Sequence, residues 1–256
     1  MIGPLLAVAQ MTFREAVRDR VLYLLFAFAL LLMALSRVLA LLTVGSESRI
    51  VADTGLAAIA IFGVLTGVFL GVSLLGREIE RRTAHTVLAR PISRWGFVTG
   101  KYLGLLLTLV VNAAAMSAAF VGLLMWRGDP VRPVLPALWL TLVELAVVTA
   151  LALFYSAVST SALVALLFTL ATYVAGHLVW SLPLLVERLT GSGARLVVWA
   201  VYYALPHLDR FNVRAEAVHG DAVPIALIAW QTAYGVGWSI LLVLGAGRAF
   251  ARRDLT

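Results

Sequence analysis

The sequence contains no cysteine and few charged residues. Without Cys among its 256 residues, disulfide bonds and metal sites built on thiolates are excluded. Asp, Glu, Lys and Arg together make up 13%, which is well below the roughly one quarter typical of soluble globular domains. Hydrophobic residues make up 62% of the chain, and its mean hydropathy is +0.99. This composition indicates a membrane protein and leaves no length for a soluble domain.

Six apolar segments are long enough to cross a bilayer as helices, for which about 20 residues are needed. In chain order, as spans 1 to 6, they are Val21–Leu42, Leu56–Leu75, Tyr102–Trp126, Leu135–Phe154, Ala162–Leu182 and Val223–Gly245. Because lipid offers the backbone no hydrogen-bond partners, such segments must be helical. The predicted fold is therefore an all-α polytopic membrane protein, a single transmembrane domain over residues 1–256.

Charge divides unevenly between the two sides of these spans. The side that carries both termini and the loop between spans 2 and 3 has 12 Lys or Arg and five Asp or Glu, whereas the other side has seven of each kind. Because positively charged loops stay in the cytoplasm, both termini are predicted to face the cytoplasm of a bacterial or archaeal inner membrane. The basic excess is then a topology signal, and no nucleic-acid partner is expected.

Two segments outside the spans are also predicted to be helical. Residues 4–19 place apolar side chains on one face (Leu6, Ala9, Phe13, Ala16, Val17), which predicts an interfacial amphipathic helix; the alternative is the start of span 1. This segment lacks the order of a cleavable signal peptide. In the external segment 183–222, the apolar run 194–205 is too short to span and ends at Pro206. A re-entrant or surface helix before span 6 is expected there.

The densest charge lies in segment 77–101, between spans 2 and 3. Arg77 to Arg90 contains no Gly or Pro and can continue as a helix, which Pro91 stops; Ser93 can cap the helix leading into span 3. A solvated loop that anchors topology would also explain the charge. The length and stiffness of the segment favour a docking surface whose movement would reach spans 2 and 3.

The run REIERRTAHTVLARPISRWGFVTGKYLG resembles the signature that joins the second and third helices of ABC-2 type transporter permeases. The matching positions are Glu78, Thr83, Val87, Leu88, Pro91, Ile92, Ser93, Arg94, Phe97, Gly100, Lys101 and Gly104. The departure is Val87, where leucine is usual. The six-span layout, the amphipathic start and the C-terminal FARRDL are similar as well. The resemblance covers essentially the whole chain and is closest in size and layout to copper-processing-type permeases.

This resemblance implies the membrane-spanning subunit of an ATP-driven transporter, usually an exporter. Segment 77–101 would be the coupling helix that docks on a separate ABC ATPase subunit, through Arg77, Glu78, Glu80, Arg81, Arg82, Thr83, Arg90, Pro91, Ser93 and Arg94. Two ATPase subunits and a second permease copy or paralogue are implied, with ATP and Mg²⁺ bound in the ATPase. The chain itself is expected to bind no cofactor and to catalyse no reaction, since its Walker-like run GVSLLGRE lacks the Lys and Ser/Thr of a P-loop.

Several polar residues are predicted at membrane depth. Glu144 stands about 13 Å into span 4 and should face the bundle, because a lipid-exposed charge is costly there. Together with a polar stripe on span 5, it forms the set of candidate transport-path residues: Glu144, Thr169, Thr172, Tyr173 and His177. For Glu144 a structural, hydrogen-bonded acid is an equally good interpretation, and for the span 5 stripe hydrogen bonding between helices is the favoured one. Span 2 also carries a GxxxGxxxG row that permits close packing against a helix of this chain or of a second copy: Gly63, Gly67 and Gly71.

Two other functions stay open on sequence alone. A proton-coupled secondary transporter using Glu144 would work without an ATPase. A membrane anchor for a cytoplasmic complex would not need Glu144 or the span 5 stripe at all. The external pairs His207–Asp209 and His219–Asp221 are better explained as surface polar residues than as a metal site. The substrate is not encoded in any recognisable motif.

Overall fold

Long helices dominate the parts of the chain that the computed structural model describes, residues 2–41, 47–80, 94–188 and 191–252. Within them, in chain order, lie α1 (Ile2–Val17), α2 (Arg20–Leu41), α3 (Glu47–Glu80), α4 (Arg94–Arg127), α5 (Val134–Val158), α6 (Ala162–Leu178), α7 (Leu182–Arg188), α8 (Ser192–Ala204), α9 (Arg214–His219) and α10 (Ile225–Arg252). Short 3₁₀ turns, Val179–Ser181 and Leu208–Phe211, precede α7 and α9. Since these ranges hold no strand, the all-α prediction is confirmed.

Five stretches are long and apolar enough to cross a bilayer: Glu47–Val72, Trp95–Arg127, Val134–Val158, Ala162–Val186 and Ile225–Arg252. They correspond to predicted spans 2 to 6. At predicted span 1 the structure has α2, with a shorter apolar stretch, Leu22–Leu35. The chain is therefore a multi-pass helical membrane protein, and the count of six spans stays a prediction.

Helices α3 and α4 are longer than the apolar segments that predicted them. Each has 34 residues, or about 51 Å, whereas the hydrocarbon core of a bilayer is about 30 Å thick. The prediction covered only the part that lipid requires to be apolar. Beyond that part, each residue added to an existing helix gains a hydrogen bond without the cost of starting a new helix, so polar turns continue both helices. On the side of the chain termini, α3 ends at Glu80 and α4 begins at Arg94.

Helix α5 is the centre of the bundle, with contacts to α3, α4, α6 and α10. The predicted glycine row of α3 lies against it. A Cβ atom added to Gly63 would stand 2.5 Å from Leu145 Cδ1, and one added to Gly71 would stand 2.7 Å from Ala152 Cβ. At Gly67 the neighbour is Thr149 Oγ1, at 2.8 Å. The close approach that the row permits is thus made within one chain.

Helix α1 is separate from α2 and packs along the first half of α4. A Cβ atom added to Gly104 would lie 2.5 Å from the carbonyl oxygen of Ala9, and Gly100 is similarly close to α1. The α1 residues buried at this contact form one row: Val8, Thr12 and Ala16. Of these three residues, Ala16 alone lies on the predicted apolar face of residues 4–19. Leu6, on the predicted apolar face, is exposed, and an interfacial position for α1 stays a prediction.

The same end of the bundle is closed by aromatic contacts between α4 and α10. The rings of Phe97 and Phe250 stack with centroids 5.6 Å apart, and Trp95 covers Gly247. Lys101, which is 3% exposed, has its ammonium group 5.7 Å from the centre of the Phe97 ring. We refer to this end, where α1 and the C-terminal turns of α10 meet α4, as the terminal end. It is also the end to which segment 77–101 belongs.

At the opposite end, a hydrogen-bonded carboxylate ties α3 to the loop after α4. Asp129 accepts hydrogen bonds from Arg127 Nε at 2.7 Å and from Ser48 Oγ at 2.8 Å. Partial burial acts to raise the pKa of Asp129, but these hydrogen bonds and the charge of Arg127 outweigh it and hold the pKa below its ordinary value. The carboxylate therefore stays ionised at neutral pH and fixes the start of α3.

We expect Gly71→Leu to lower the free energy of unfolding by about 1–3 kcal/mol, because the new side chain would be forced against α5. Gly237→Leu is the matched control, since a Cβ atom at Gly237 meets no atom within 4 Å. Thermal unfolding of the purified chain in a mild detergent measures both. Equal midpoints for the two variants would contradict close packing of α3 on α5.

Candidate functional site

A carboxylate and an imidazole pair inside the bundle, where α5 meets α6. His177 Nε2 lies 2.8 Å from Glu144 Oε1, and the Glu144 residue is 5% exposed. Sequence analysis identified both residues as transport-path candidates but did not predict that they pair. The pairing depends on how α5 and α6 lie side by side, which periodicity does not specify. A buried carboxylate with a hydrogen-bonding partner avoids most of the cost of standing alone at this depth.

The pair opens onto a polar cavity of about 130 Å³. Its walls come from α3, α5, α6 and the 3₁₀ turn and short strap that lead into α9. The polar groups that line it are Thr141, Glu144, Tyr173, His177, Asn212 and Arg214. At about 30 Å³ for each water molecule, the cavity can hold a few waters or one small polar group. It provides a carboxylate, an imidazole, a phenol, an amide and a guanidinium within one enclosure.

An ion pair joins the outer rim of this cavity to α3. Arg214 Nε lies 2.9 Å from Asp53 Oδ1, with the two side chains 40% and 52% exposed. A pair this exposed contributes about 1 kcal/mol or less to stability. Its position is more informative than its energy, because it connects the first residue of α9 to the helix that forms one cavity wall. Tyr173 supports the inner pair from α6, with its ring edge-on to the His177 ring at 4.7 Å.

The polar stripe predicted on span 5 divides into two groups. Tyr173 and His177 line the cavity, whereas Thr169 and Thr172 do not. Thr169 Oγ1 donates a hydrogen bond to the Ala165 carbonyl at 2.7 Å, and the Thr172 hydroxyl lies 2.7 Å from the hydroxyl of Tyr155 on α5. The Thr172 contact is an interhelical hydrogen bond, as the alternative interpretation of the stripe predicts, whereas the Thr169 bond lies within α6. Sequence analysis missed the other polar groups of the cavity and its rim: Asp53, Thr141, Asn212 and Arg214. No local pattern could have linked residues so distant in the chain.

The predicted docking residues lie at the terminal end, only partly within the described ranges. Arg77, Glu78 and Glu80 belong to the last turns of α3, and Arg94 begins α4. The remaining docking residues fall outside the described ranges: Arg81, Arg82, Thr83, Arg90, Pro91 and Ser93. Their predicted contact with an ATPase therefore stays a prediction.

A second polar cluster surrounds His207 on the side away from the terminal end. The His207 backbone N–H donates to the Tyr234 hydroxyl at 2.9 Å, and the Tyr202 ring lies edge-on to the imidazole at 4.5 Å. Burial lowers the pKa of His207, the positive charge of Arg210 acts in the same direction, and Asp209 opposes them. The imidazole is therefore neutral at pH 7. Over the part of the chain that is described, no three His, Asp or Glu side chains cluster as metal ligands would.

Comparison with known protein families finds a match over almost the whole chain. The family described as ABC-2 family transporter protein matches residues 6–255. No curated protein sequence matches the chain significantly. The matched region includes most of α1, the five membrane-length stretches, the acid–base pair and segment 77–101.

A double-mutant cycle should measure the coupling of Glu144 to His177. His177→Leu leaves a buried carboxylate without its partner, so we expect a loss of about 1–3 kcal/mol in the free energy of unfolding. Adding Glu144→Leu should recover part of this loss, since two apolar groups of similar size leave no orphan. The coupling energy should reach about 1–3 kcal/mol.

Thr108→Val combined with His177→Leu provides the control cycle. The Thr108 hydroxyl bonds to the Gly104 carbonyl within α4, which is a different helix from that of His177. Those two effects should add to within about 0.5 kcal/mol. Unfolding in detergent by added dodecyl sulfate measures all variants. Additive effects of the Glu144 and His177 changes would contradict a direct interaction.

The free energy of unfolding should decrease as the pH is lowered, because of His207. Its pKa is lowered in the folded state, so below the ordinary value of 6.5 the unfolded chain binds a proton that the folded chain does not. The wild type should therefore lose stability as the pH falls through 6.5 toward the lowered folded value, whereas His207→Gln should lack this component. Unfolding midpoints between about pH 7.5 and 5.5 test this, with His219→Gln as control. A slope unchanged by His207→Gln would contradict a buried neutral imidazole.

Proposed function

Because a match over residues 6–255 establishes membership, the chain belongs to the ABC-2 transporter family, and we propose that it is the permease subunit of an ATP-driven exporter. That match, together with the membrane-length helices, is the observation that carries the proposal. A separate ABC ATPase would supply ATP hydrolysis. The complex would contain two ATPase subunits and two permease chains, the second a copy or a paralogue. The bias of positive charge supports a cytoplasmic position for both termini and for segment 77–101.

Two rigid helices lead from the proposed coupling segment into the bundle. Helices α3 and α4 flank residues 81–93, and each is about 51 Å long. The contact of Gly63, Gly67 and Gly71 with α5 joins α3 to the centre of the protein. An ATPase that pushes on the segment would therefore displace a helix that reaches the cavity, not an isolated loop. This connection supports mechanical coupling.

The polar cavity is the proposed part of the transport path within this chain. Its walls include Leu56 and Ala60 of α3, opposite Glu144 of α5 and His177 of α6. A shift of α3 would change the width of the cavity and the Asp53–Arg214 contact together. We assign path roles to Glu144, Tyr173 and His177. The hydrogen bond between Thr172 and Tyr155 favours a packing role for Thr172, and the Thr169 hydroxyl bonds within its own helix.

Purification of the tagged chain from its native membrane in a mild detergent tests the coupling proposal. We expect a Walker-motif ATPase to co-purify, and the triple variant Glu80→Ala, Arg81→Ala and Arg82→Ala to recover at least about tenfold less of it, equivalent to about 1.4 kcal/mol of binding. Three exposed residues of the opposite side, with the same charges, serve as the matched control: Arg49→Ala, Arg132→Ala and Glu216→Ala.

The control should retain the ATPase at the wild-type level, and all three proteins should elute as single peaks in size-exclusion chromatography. Failure to recover any ATPase with the wild-type chain would contradict the proposal that this chain is the permease subunit of an ATP-driven transporter. Equal recovery with the triple variant would move the docking surface away from segment 77–101.

A further inference from the structure

An apolar trough of about 490 Å³ lies between α4 and α10, away from the polar cavity. Its walls are formed by large aliphatic side chains: Leu103, Leu106 and Val110 on α4, and Val236, Ile240 and Leu244 on α10. Helix α5 forms the floor, with Leu142 and Ala146. The hydroxyl of Tyr102 is turned to the floor, where it donates to the Ala146 carbonyl at 3.3 Å. The trough carries no charged side chain.

Both ends of the trough are defined by contacts. At the end farther from the chain termini, Trp139 Nε1 of α5 donates to Thr232 Oγ1 of α10 at 2.9 Å. At the terminal end α4 and α10 converge, where Trp95 covers Gly247. Between these points the lining runs from Thr99 to Val110 on α4, about 16 Å, and over about 18 Å on α10. One leaflet of the hydrocarbon core is about 15 Å thick, so the trough is as long as one leaflet is deep.

The walls suit an acyl chain better than a transmembrane helix. Helices associate in lipid through small residues that let backbones approach, because Leu side chains gain nothing by exchanging lipid for another helix. At its opening this trough presents branched aliphatic side chains, whereas its small residues on α10, Gly235 and Ser239, are buried, with Gly235 packed against Val143 of α5. A flexible hydrocarbon chain can fill the space with continuous van der Waals contact.

A cationic side chain stands where the headgroup of such a lipid would lie. Arg248 is one helical turn beyond Leu244, at the terminal end of α10, and it is exposed. Its guanidinium can reach the interface and bind a phosphate with two parallel hydrogen bonds. The apolar length and the arginine at one end together match an amphiphile with a phosphate headgroup.

We propose that the trough between α4 and α10 binds one acyl chain of a membrane phospholipid, with the headgroup phosphate beside Arg248. The bound acyl chain fills the space between α4 and α10 and sets the separation of the two helices there. The site is distinct from the polar cavity, so it stands independently of the proposed transport path.

Photolabelling tests the site in the intact chain, reconstituted in nanodiscs with phosphatidylglycerol that carries a diazirine on its acyl chain. After irradiation, mass spectrometry of peptides should find several-fold more label on residues 99–110 and 232–244 than on α6 around Leu167 and Val174. This comparison is matched, since Val236 and Ile240 are 51% and 56% exposed and Leu167 and Val174 are 58% and 54% exposed. Label distributed in proportion to exposure would overturn the proposal.

Filling the trough should displace the lipid. Ile240→Trp should reduce labelling of residues 99–110 several-fold, whereas Leu167→Trp on α6 should leave it unchanged. Both positions are exposed, so both variants should elute as single peaks. Unchanged labelling of α4 in Ile240→Trp would count against an acyl chain in the trough.

The headgroup and the alternative occupant have separate tests. Arg248→Gln should reduce labelling by the diazirine phosphatidylglycerol several-fold more than labelling by the matching diazirine diacylglycerol, which has no phosphate; equal effects would remove Arg248 from the site. Because the chain lacks cysteine, Ile240→Cys provides a single thiol for oxidative cross-linking in the membrane. A disulfide-linked dimer would place a second copy of the chain in the trough and overturn the lipid assignment.

Discussion

The contact between α3 and α5 is the interaction on which the rest of the structure depends. In lipid there is no hydrophobic gain from bringing two helices together, so their association relies on van der Waals contact at short range and on hydrogen bonds. Gly63, Gly67 and Gly71 make the short range possible, and Leu145, Thr149 and Ala152 fill the space they leave. With α3 held in this register, Leu56 and Ala60 come to face Glu144, and the polar cavity has its third wall.

The acid–base pair follows from the same low-polarity surroundings. A carboxylate at the position of Glu144 has few ways to avoid an unfavourable state, and a hydrogen bond to His177 is the one that the fold provides. Because losing the hydrogen bond to His177 would be costly for Glu144, the stability of the pair depends on the distance between α5 and α6. Any rearrangement that separates α5 from α6 must offer Glu144 a proton, water or another donor. The cavity beside it, with Tyr173, Asn212 and Arg214 in its lining, contains such donors.

A feature could be predicted from the sequence where a strong physical constraint leaves a signal in nearby residues. The helices were predictable because lipid forces every spanning segment to satisfy its own backbone, and Glu144 was identifiable because an acid within an apolar run is rare. The ends of α3 and α4 were not, since polar turns beyond the bilayer continue a helix without an apolar signal. The partners also escaped prediction. Glu144 and His177 are 33 positions apart and Asp53 and Arg214 are 161 apart, so only the tertiary packing brings them together.

The packing of α4 differs from that of α3, and this difference bears on how motion would pass through the bundle. Helix α3 is fixed to α5 by its glycine row, whereas α4 is fixed to α1 by Gly100 and Gly104 and faces a trough where another helix would otherwise pack. A surface filled by a fluid acyl chain resists sliding less than interdigitated side chains do, because interiors packed at crystal density transmit strain. Under the proposed coupling, a push on segment 77–101 would reach both helices: α3 would pass it to α5 and the polar cavity, whereas α4 could shift together with α1. A shift of α4 would widen or narrow the trough between α4 and α10, while the glycine contact that holds α3 to α5 stays intact.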